Sequence, residues 1–257
     1  MLAKKTFCNL PHEKQRKIIE VAIQEFATRG YQKASINTMI ASLGIAKGSM
    51  YQYFENKESL FRYIFEYGVR LLKDNVHQTE SIASPGQDTF TKIQTFFSSA
   101  IVFVKKYPLI FRLYLRTVFE SDLPFKQELV SRIHLFSMAY LVPLLEEGKA
   151  RGDIRSDCKP QLAAFMIMAI IDRFLQSYLW AYLDSASDSG SPSSSPSSSP
   201  WLRPENLEQD LMELMKILER GLKARPGEER EIERLRTPDA VDNPEGCGMH
   251  PGNSPEN

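Results

Sequence analysis

The chain has 257 residues, of which 42% are hydrophobic and 25% are charged, proportions that are ordinary for a soluble globular protein. Its 32 basic and 32 acidic residues cancel, which on its face argues against a protein that binds nucleic acid. The distribution matters more than the sum: residues 1–60 hold nine Lys and Arg against five Glu, whereas residues 224–257 hold four Arg against eight acidic residues. A basic N-terminal region is compatible with DNA binding at that end.

The sequence has no pattern typical of an enzyme, a metalloprotein or a secreted protein. Its three cysteines, at positions 8, 158 and 247, form no CxxC pair, its four histidines are scattered, and it has no Gly-rich phosphate loop. We therefore expect no catalytic site, no metal and no cofactor. The widely spaced cysteines favour a reducing cytoplasm, and the first residues lack the apolar run of a signal peptide.

The predicted helices begin with one over residues 11–29, because Pro11 suits a first helical turn and Gly30 suits a helix end. A second, short helix follows. Its apolar residues recur at helical spacing and form one stripe. The stripe consists of Ile36, Met39, Ile40 and Leu43. Gly44 then supplies the residue that most easily adopts a left-handed helix stop.

A third short helix is predicted over residues 47–54, and it carries few apolar residues for its length. Its polar and aromatic side chains are Lys47, Ser49, Tyr51, Gln52 and Tyr53. A buried helix seldom carries such side chains, whereas a helix that lies against DNA does. Two short helices joined by a tight turn are typical of a helix-turn-helix, in which the second helix enters the major groove.

This segment resembles the N-terminal domain of the TetR family of bacterial one-component transcriptional regulators. Two positions depart from the family pattern: Ala46 stands where a helix-capping Ser is common, and Ile40 stands where a small Ala is common. Neither position belongs to the residues expected to face DNA. The resemblance is carried by Phe26 and Gly30, Gly44-Ile45, Lys47-Gly48-Ser49, Tyr51, Tyr53-Phe54 and Lys57-Glu58.

Helical spacing continues through the rest of the chain, and no segment alternates with a period of two, so we predict an all-α protein. Asn56 is expected to cap the fourth helix. The apolar stretch 162–183 is long enough to span a membrane, but Asp172 and Arg173 interrupt it, so we predict a buried helix and no membrane contact. The further predicted helices cover residues 57–76, 88–106, 109–119, 124–151 with Pro143 as a kink, 160–183 and 204–224.

These elements predict a helix-turn-helix DNA-binding domain followed by a larger helical bundle for ligand binding and dimerisation. Residues 185–200 contain ten Ser and three Pro, a composition that cannot bury apolar area, so a disordered linker is predicted there. The predicted organisation is a DNA-binding domain over 1–56, a ligand-binding and dimerisation domain over 57–183, a linker over 184–203, a dimerisation helix over 204–224 and a disordered polar tail over 225–257.

The resemblance implies which residues contact DNA. Lys47, Ser49 and Gln52 are expected to reach base edges. Tyr51 and Tyr53 are expected to contact phosphate or thymine methyl groups, and Ser35 and Lys57 the flanking backbone. The alternative is that the aromatic residues form the small core of the three-helix unit, which we accept for Phe54 and in part for Tyr51. The full expected set is Ser35, Lys47, Gly48, Ser49, Tyr51, Gln52, Tyr53 and Lys57.

The resemblance also implies an inducer pocket in the bundle and a two-fold interface between C-terminal helices. Helical spacing by itself shows only an aromatic core, and both C-terminal helices can equally complete the core of a monomer. The residues predicted to line the pocket are Phe97, Ile101, Phe111, Tyr114, Phe136, Tyr140 and Phe174. Those predicted to form the dimer interface are Phe165, Met168, Ile171, Leu175, Leu211, Leu214 and Leu218.

The function expected from these features is that of a homodimeric transcriptional regulator that binds a double-stranded DNA operator. Repression, relieved by a small apolar or amphipathic effector, is the commoner role in the family. Two alternatives stay open. The first is a DNA-binding regulator controlled by a protein partner through the linker or the acidic tail. The second is a small-molecule binding protein or enzyme that no longer reads DNA.

Overall fold

The computed structural model describes residues 2–82, 86–119, 123–186 and 206–223. Within these ranges the chain is helical, with one isolated antiparallel pairing between Ile154 and Lys223, so the all-α prediction is confirmed. The helices are α1 (Lys5–Cys8), α2 (His12–Lys33), α3 (Ile36–Leu43), α4 (Lys47–Tyr53), α5 (Lys57–Ile82), α6 (Thr89–Lys106), α7 (Pro108–Phe119), α8 (Lys126–Arg151), α9 (Pro160–Ala186) and α10 (Leu207–Leu222).

Glycines in left-handed conformations mark the breaks in the N-terminal domain. Gly30 has φ 73° and ψ 171° and interrupts α2, which then continues to Lys33. The predicted helix end at Gly30 is therefore a break inside α2. Gly44 ends α3 with φ 61°, as predicted, because a residue without Cβ adopts this conformation without strain.

Side-chain caps fix where α3 and α5 begin. The Ser35 hydroxyl accepts a hydrogen bond from the Thr38 amide at 3.4 Å. At the start of α5, Asn56 Oδ1 accepts from the Ser59 amide at 2.8 Å, and Ser59 Oγ accepts in return from the Asn56 amide at 3.1 Å. This reciprocal pair satisfies backbone donors that a helix start leaves unpaired, so the predicted cap at Asn56 is confirmed.

The short helix α1 was not predicted. Its Phe7 is completely buried, and the ring centroid lies 4.9 Å from that of Phe54 and 5.3 Å from that of Tyr63. A four-residue helix has no periodic pattern of its own, and this one is held by the burial of a single aromatic side chain.

The helices α5 to α9 form the larger bundle, with boundaries near those predicted. Asp88 caps α6 by accepting hydrogen bonds from the amides of Phe90 and Thr91 at 2.9 and 3.0 Å. Pro108 begins α7, since a proline at the first helical position removes no intrahelical hydrogen bond. Gly152 ends α8 with φ 82°.

The last described helix, α10, packs against α6 and completes the bundle within the same chain. Its buried residues are Leu207, Leu211, Met215, Leu218 and Leu222. A hydrogen bond joins the turn after α8 to the C-terminal end of α10: the Arg155 amide donates to the Leu222 carbonyl at 3.0 Å. The predicted linker and tail lie outside the described residues, except that 184–186 belong to α9.

One described helix, α8, is long and apolar enough to cross a membrane by length and composition alone. Its most apolar window has a mean hydropathy of 1.3. Core helices of globular proteins meet the same criteria, and α8 packs against α7 and α9 in the bundle. The apolar stretch 162–183, which lies in α9, is not among the candidate membrane spans found in the described residues.

Candidate DNA-binding surface and effector cavity

The polar side chains of α4 face solvent while its apolar side chain holds it to the domain. Lys47, Gly48 and Gln52 are exposed, and Ser49 is half-buried. On the opposite face Met50 is only 1% exposed. The N-terminal part of α4 therefore presents a lysine, a hydroxyl and an amide on one side of a short, anchored helix.

The two tyrosines of α4 have opposite environments. Tyr51 is 45% exposed, whereas Tyr53 is 6% exposed and its ring centroid lies 6.1 Å from that of Phe7. The partial assignment of Tyr51 to the core is thus corrected: Tyr53 joins Phe54 in the core. Little of the Tyr53 side chain remains to reach DNA.

Lys57 and Ser35, the two residues expected to grip the flanking DNA backbone, both have partners within the domain. The Lys57 ammonium donates to the carbonyls of Gln32 and Ala34 at 3.2 and 3.3 Å and lies 4.7 Å from the Tyr31 ring centroid. Lys57 therefore stabilises the end of α2, where carbonyl groups lack intrahelical partners. The Ser35 hydroxyl caps α3, as described above.

The segment before α2 holds the C-terminal end of α4, a contact that the sequence did not suggest. Lys4 Nζ donates to the Tyr51 carbonyl at 2.9 Å, and the Lys4 amide donates to the Tyr53 carbonyl at 2.9 Å. The Thr6 hydroxyl donates to the Gln52 carbonyl. These donors satisfy carbonyls that the end of a helix leaves unpaired. The one signal in the sequence is Phe7, an aromatic residue between polar neighbours.

A cavity of about 80 Å³ lies inside the bundle, between α5, α6, α7, α8 and α9. Its walls are aromatic and aliphatic, with Phe65, Phe96 and Phe111 among them. A lining that is apolar with a few polar groups is typical of small-molecule sites, but drug-sized ligands occupy pockets of roughly 300–1,000 Å³, so such a ligand would have to enlarge this cavity.

Tyr114 and Asp172 form a hydrogen-bonded polar pair in the lining of this cavity. The Tyr114 hydroxyl donates to Asp172 Oδ2 at 3.2 Å, and His134 Nε2 lies 3.8 Å from the same oxygen. Burial raises the pKa of Asp172, an effect opposed by the hydrogen bond from Tyr114 and by the charge of His134. Burial, followed by the negative charge of Asp172, raises the pKa of Tyr114. The hydroxyl therefore stays protonated and acts as a donor.

Comparison with known proteins identifies the N-terminal domain. Residues 18–64 match the family model described as bacterial regulatory proteins, tetR family. A TetR family transcriptional regulator from Chloroflexus aurantiacus J-10-FL superposes with a TM-score of 0.65 and 26% identity, over 87% of this chain and 99% of that one. The N-terminal domain is thus a TetR-type DNA-binding domain, and the chain is similar in fold to TetR family regulators. The chain is a DNA-binding transcriptional regulator, and its relatives are regulators rather than enzymes.

Two curated relatives from Bacillus subtilis (strain 168) extend the similarity beyond the DNA-binding domain. The HTH-type transcriptional regulator YhgD is 23% identical over 158 residues, which is 62% of this chain and 80% of the relative. The fatty acid metabolism regulator protein is 23% identical over 159 residues, which is also 62% of this chain and 80% of the relative. The chain therefore resembles both relatives over most of their lengths.

Only part of the predicted pocket set lines the cavity. Phe111 and Tyr114 do, whereas the other five do not. Phe97, Ile101 and Phe174 are buried away from the cavity, Phe136 is half-buried, and Tyr140 stacks on Phe96 at 5.1 Å. Helical periodicity identifies an apolar stripe but not the few positions in it that border an empty space. The cavity residues absent from the predicted set include Phe65, Phe96, Phe103, Ser137 and Asp172.

The predicted dimer interface also needs correction, because five of its residues are buried inside the single chain. Met168, Ile171 and Leu175 line the cavity, and Leu211 and Leu218 pack in the core. Phe165 is 65% exposed and Leu214 is half-buried, and both border a shallow apolar groove between α9 and α10. Other apolar groove residues are Leu162, Met166, Ala169, Ile170, Phe174 and Ile217.

Two helices connect the cavity to the DNA-binding domain. In α5, Phe61 packs on Phe26 of α2 with ring centroids 4.9 Å apart, and the same helix supplies Phe65 to the cavity wall. In α7, Arg116 donates to the carbonyls of Ala27 and Thr28 at 2.9 and 2.8 Å. These two carbonyls lie shortly before the break at Gly30, so α7 contacts α2 next to that break.

Proposed function

We propose that this protein is a homodimeric repressor that leaves its operator when a small apolar or amphipathic effector enters the bundle cavity. The observation that carries the proposal is the arrangement of α4, which is anchored by Met50 and exposes Lys47 and Gln52 on a TetR-type domain. The cavity behind that domain, and the helices that join the two, support the effector half of the proposal.

Within this proposal, Lys47, Ser49 and Gln52 contact base edges, while Gly48 lets the DNA backbone approach closely. Lysine reaches the acceptors of guanine, and glutamine pairs with adenine in the major groove. Tyr51 contacts phosphate or a thymine methyl group. The roles of Ser35, Tyr53 and Lys57 are mainly to shape the domain, because each is occupied by the internal contacts described above.

The effector acts through α5 and α7. These helices approach closely beside the cavity, since a Cβ added at Gly68 would lie 2.8 Å from Ile110 Cγ2. A ligand that fills a narrow cavity between them has to separate them. Because α7 holds α2 through Arg116, the separation changes the position of the DNA-binding domain. The effector shifts the equilibrium only as far as its affinities for the two arrangements differ.

Dimerisation uses the groove between α9 and α10. Leu162, Phe165 and Ile217 are 64%, 65% and 66% exposed, an unusual concentration of large apolar side chains on one surface. A second copy related by a two-fold axis brings the same surface against itself and buries it. The resulting dimer presents two copies of α4 to successive half-sites, as operator recognition requires.

One relative supports an effector with a long apolar body. One of the two B. subtilis proteins is named for fatty acid metabolism, and the cavity walls of this chain are almost entirely apolar. We therefore place an alkyl or aryl body of the effector between α5 and α9.

The test is a selection of DNA sites by the purified full-length protein, followed by titration of the selected site over a range of salt. Lys47→Ala should weaken binding to all sites and lower the salt dependence by about one counterion. Gln52→Ala should cost about 1–3 kcal/mol and relax preference at one base pair.

The matched control is Lys159→Ala, which removes the same side chain from an exposed position just before α9. It should leave both affinity and salt dependence unchanged. If no site is enriched over random DNA, or if Lys159→Ala weakens binding as much as Lys47→Ala, the DNA-reading role of α4 is wrong.

A further inference from the structure

The described polar residues that line the effector cavity include an acidic residue but no basic one. Among the described residues that line it, Tyr114, Ser137 and Asp172 are polar, and none is Lys, Arg or His. The remaining lining is aliphatic, aromatic or glycine. A ligand that enters this space therefore meets one acidic group and no basic group.

Asp172 and Ser137 both line the cavity, and both have hydrogen-bonding capacity that the described residues do not use; the Asp172 side chain is 36% exposed. Asp172 Oδ2 accepts from Tyr114, while Oδ1 accepts from no group in the described part of the chain. The Ser137 hydroxyl, on a residue that is 4% exposed, likewise has no partner among the described residues. An ionised carboxylate has about four lone-pair positions, so the described residues leave most of its accepting capacity unused.

Two basic residues close to Asp172, one in space and one in sequence, do not line the cavity. His134 Nε2 lies 3.8 Å from Asp172 Oδ2, but His134 is 49% exposed and borders a separate surface depression. Arg173 follows Asp172 along α9, but it borders the outer groove and donates to Gln176 at 2.9 Å. A ligand carboxylate in the cavity would thus face Asp172, and no Lys, Arg or His lies among the described residues that line the cavity.

We propose that the effector is an amphiphile whose polar group is a protonated amine, bound by the Asp172 carboxylate with the Ser137 hydroxyl as a second contact. The proposal rests on the effector role given to this cavity above. An ammonium supplies three donors to the unoccupied lone pairs, and its charge offsets the penalty that burial places on an ionised carboxylate. Its apolar body occupies the aromatic walls. A free fatty acid has the same body but the wrong charge for this site.

The experiment is a calorimetric titration of the full-length protein, without DNA, using three probes with the same ten-carbon chain. The probes are decylamine, decanol and decanoate, each kept below the concentration at which it aggregates. At neutral pH the amine is protonated, as a lysine side chain is. We expect decylamine to bind about tenfold or more tightly than decanoate, with decanol between them. Decanoate binding as tightly as decylamine would overturn the proposal.

Asp172→Asn keeps the size and shape of the side chain and removes its charge. It should weaken decylamine binding by about tenfold or more and leave decanol binding nearly unchanged. Asp157→Asn is the control, because this exposed aspartate pairs with Arg155 far from the cavity lining. A preference for the amine that persists in Asp172→Asn would contradict the proposal. The wild-type comparison decides the charge preference even if Asp172→Asn does not fold.

DNA binding is measured separately, so that failure of this inference differs from failure of the proposed function. Absence of binding by all three probes, with operator binding intact, overturns the amine proposal alone. Binding of decylamine without recognition of any DNA site overturns the repressor proposal and leaves the amine site supported.

Discussion

The burial of Phe7 predicts that a single substitution in the N-terminal segment destabilises the DNA-binding domain. The side chain is completely buried, and its ring lies within 4.9 to 6.1 Å of the rings of Tyr53, Phe54 and Tyr63. Phe7→Ala removes these contacts. It either leaves a cavity under α4 or releases the segment from it.

Both outcomes have a similar cost. Removing a buried phenylalanine typically costs about 3–5 kcal/mol when a cavity remains. If the segment detaches instead, the two hydrogen bonds from Lys4 to α4 are lost together with the ring contacts, at about 1 kcal/mol each. We therefore expect a loss of about 3 kcal/mol. For a chain of this size that corresponds to a fall in Tm of roughly 6–12 °C.

The assay is thermal and urea-induced unfolding of Phe7→Ala beside Phe119→Ala, at equal protein concentration. Phe119 is 60% exposed, so its substitution removes the same atoms without opening a core and should change stability by less than about 0.5 kcal/mol. Operator binding should weaken only in Phe7→Ala, because only there does α4 lose support. Equal stability of the two variants would refute the assigned role of Phe7.

Two further predictions concern the bundle. Gly148→Ala should destabilise the protein by about 1–3 kcal/mol, because the added Cβ would lie 2.3 Å from the hydroxyl of buried Thr89. Gly221→Ala should instead stabilise the protein by about 0.5 kcal/mol, because nothing lies within 4 Å of the added Cβ. Shifts of the same sign in the urea midpoint would contradict this. Phe165→Asp should convert the proposed dimer to a monomer in light scattering, whereas Leu135→Asp, at an exposed residue outside the groove, should not. An unchanged mass for Phe165→Asp would exclude the groove as the interface.

Helix positions were largely predictable because their signals are local. Gly44 and Gly152 adopt left-handed conformations, Asn56 and Asp88 cap the helices that follow them, and Pro108 opens α7. Each of these depends on the conformational preference of one residue or on hydrogen bonds to neighbours in sequence. The helix-turn-helix could therefore be recognised before any tertiary contact was known.

The N-terminal segment and the role of Lys57 could not be predicted in this way. The contacts of Phe7, and the hydrogen bonds from Lys57 to the carbonyls of Gln32 and Ala34, join residues far apart in sequence. An exposed lysine at a helix start and one that caps another helix look identical in a sequence. The difference arises only when α2 and α5 pack together.

The same limit explains the pocket and the interface. The sequence by itself determined that α9 is apolar around most of its surface and that α10 has one apolar stripe. It did not determine that Met168 and Leu175 face a cavity while Leu162 and Phe165 face outward. Helical periodicity shows that a face is apolar but not which partner covers it. The reason is that the free energy of burial depends on the apolar area removed from water and not on the identity of the covering partner. Which face is buried in the core of the chain, and which stays exposed, is decided only when the helices pack.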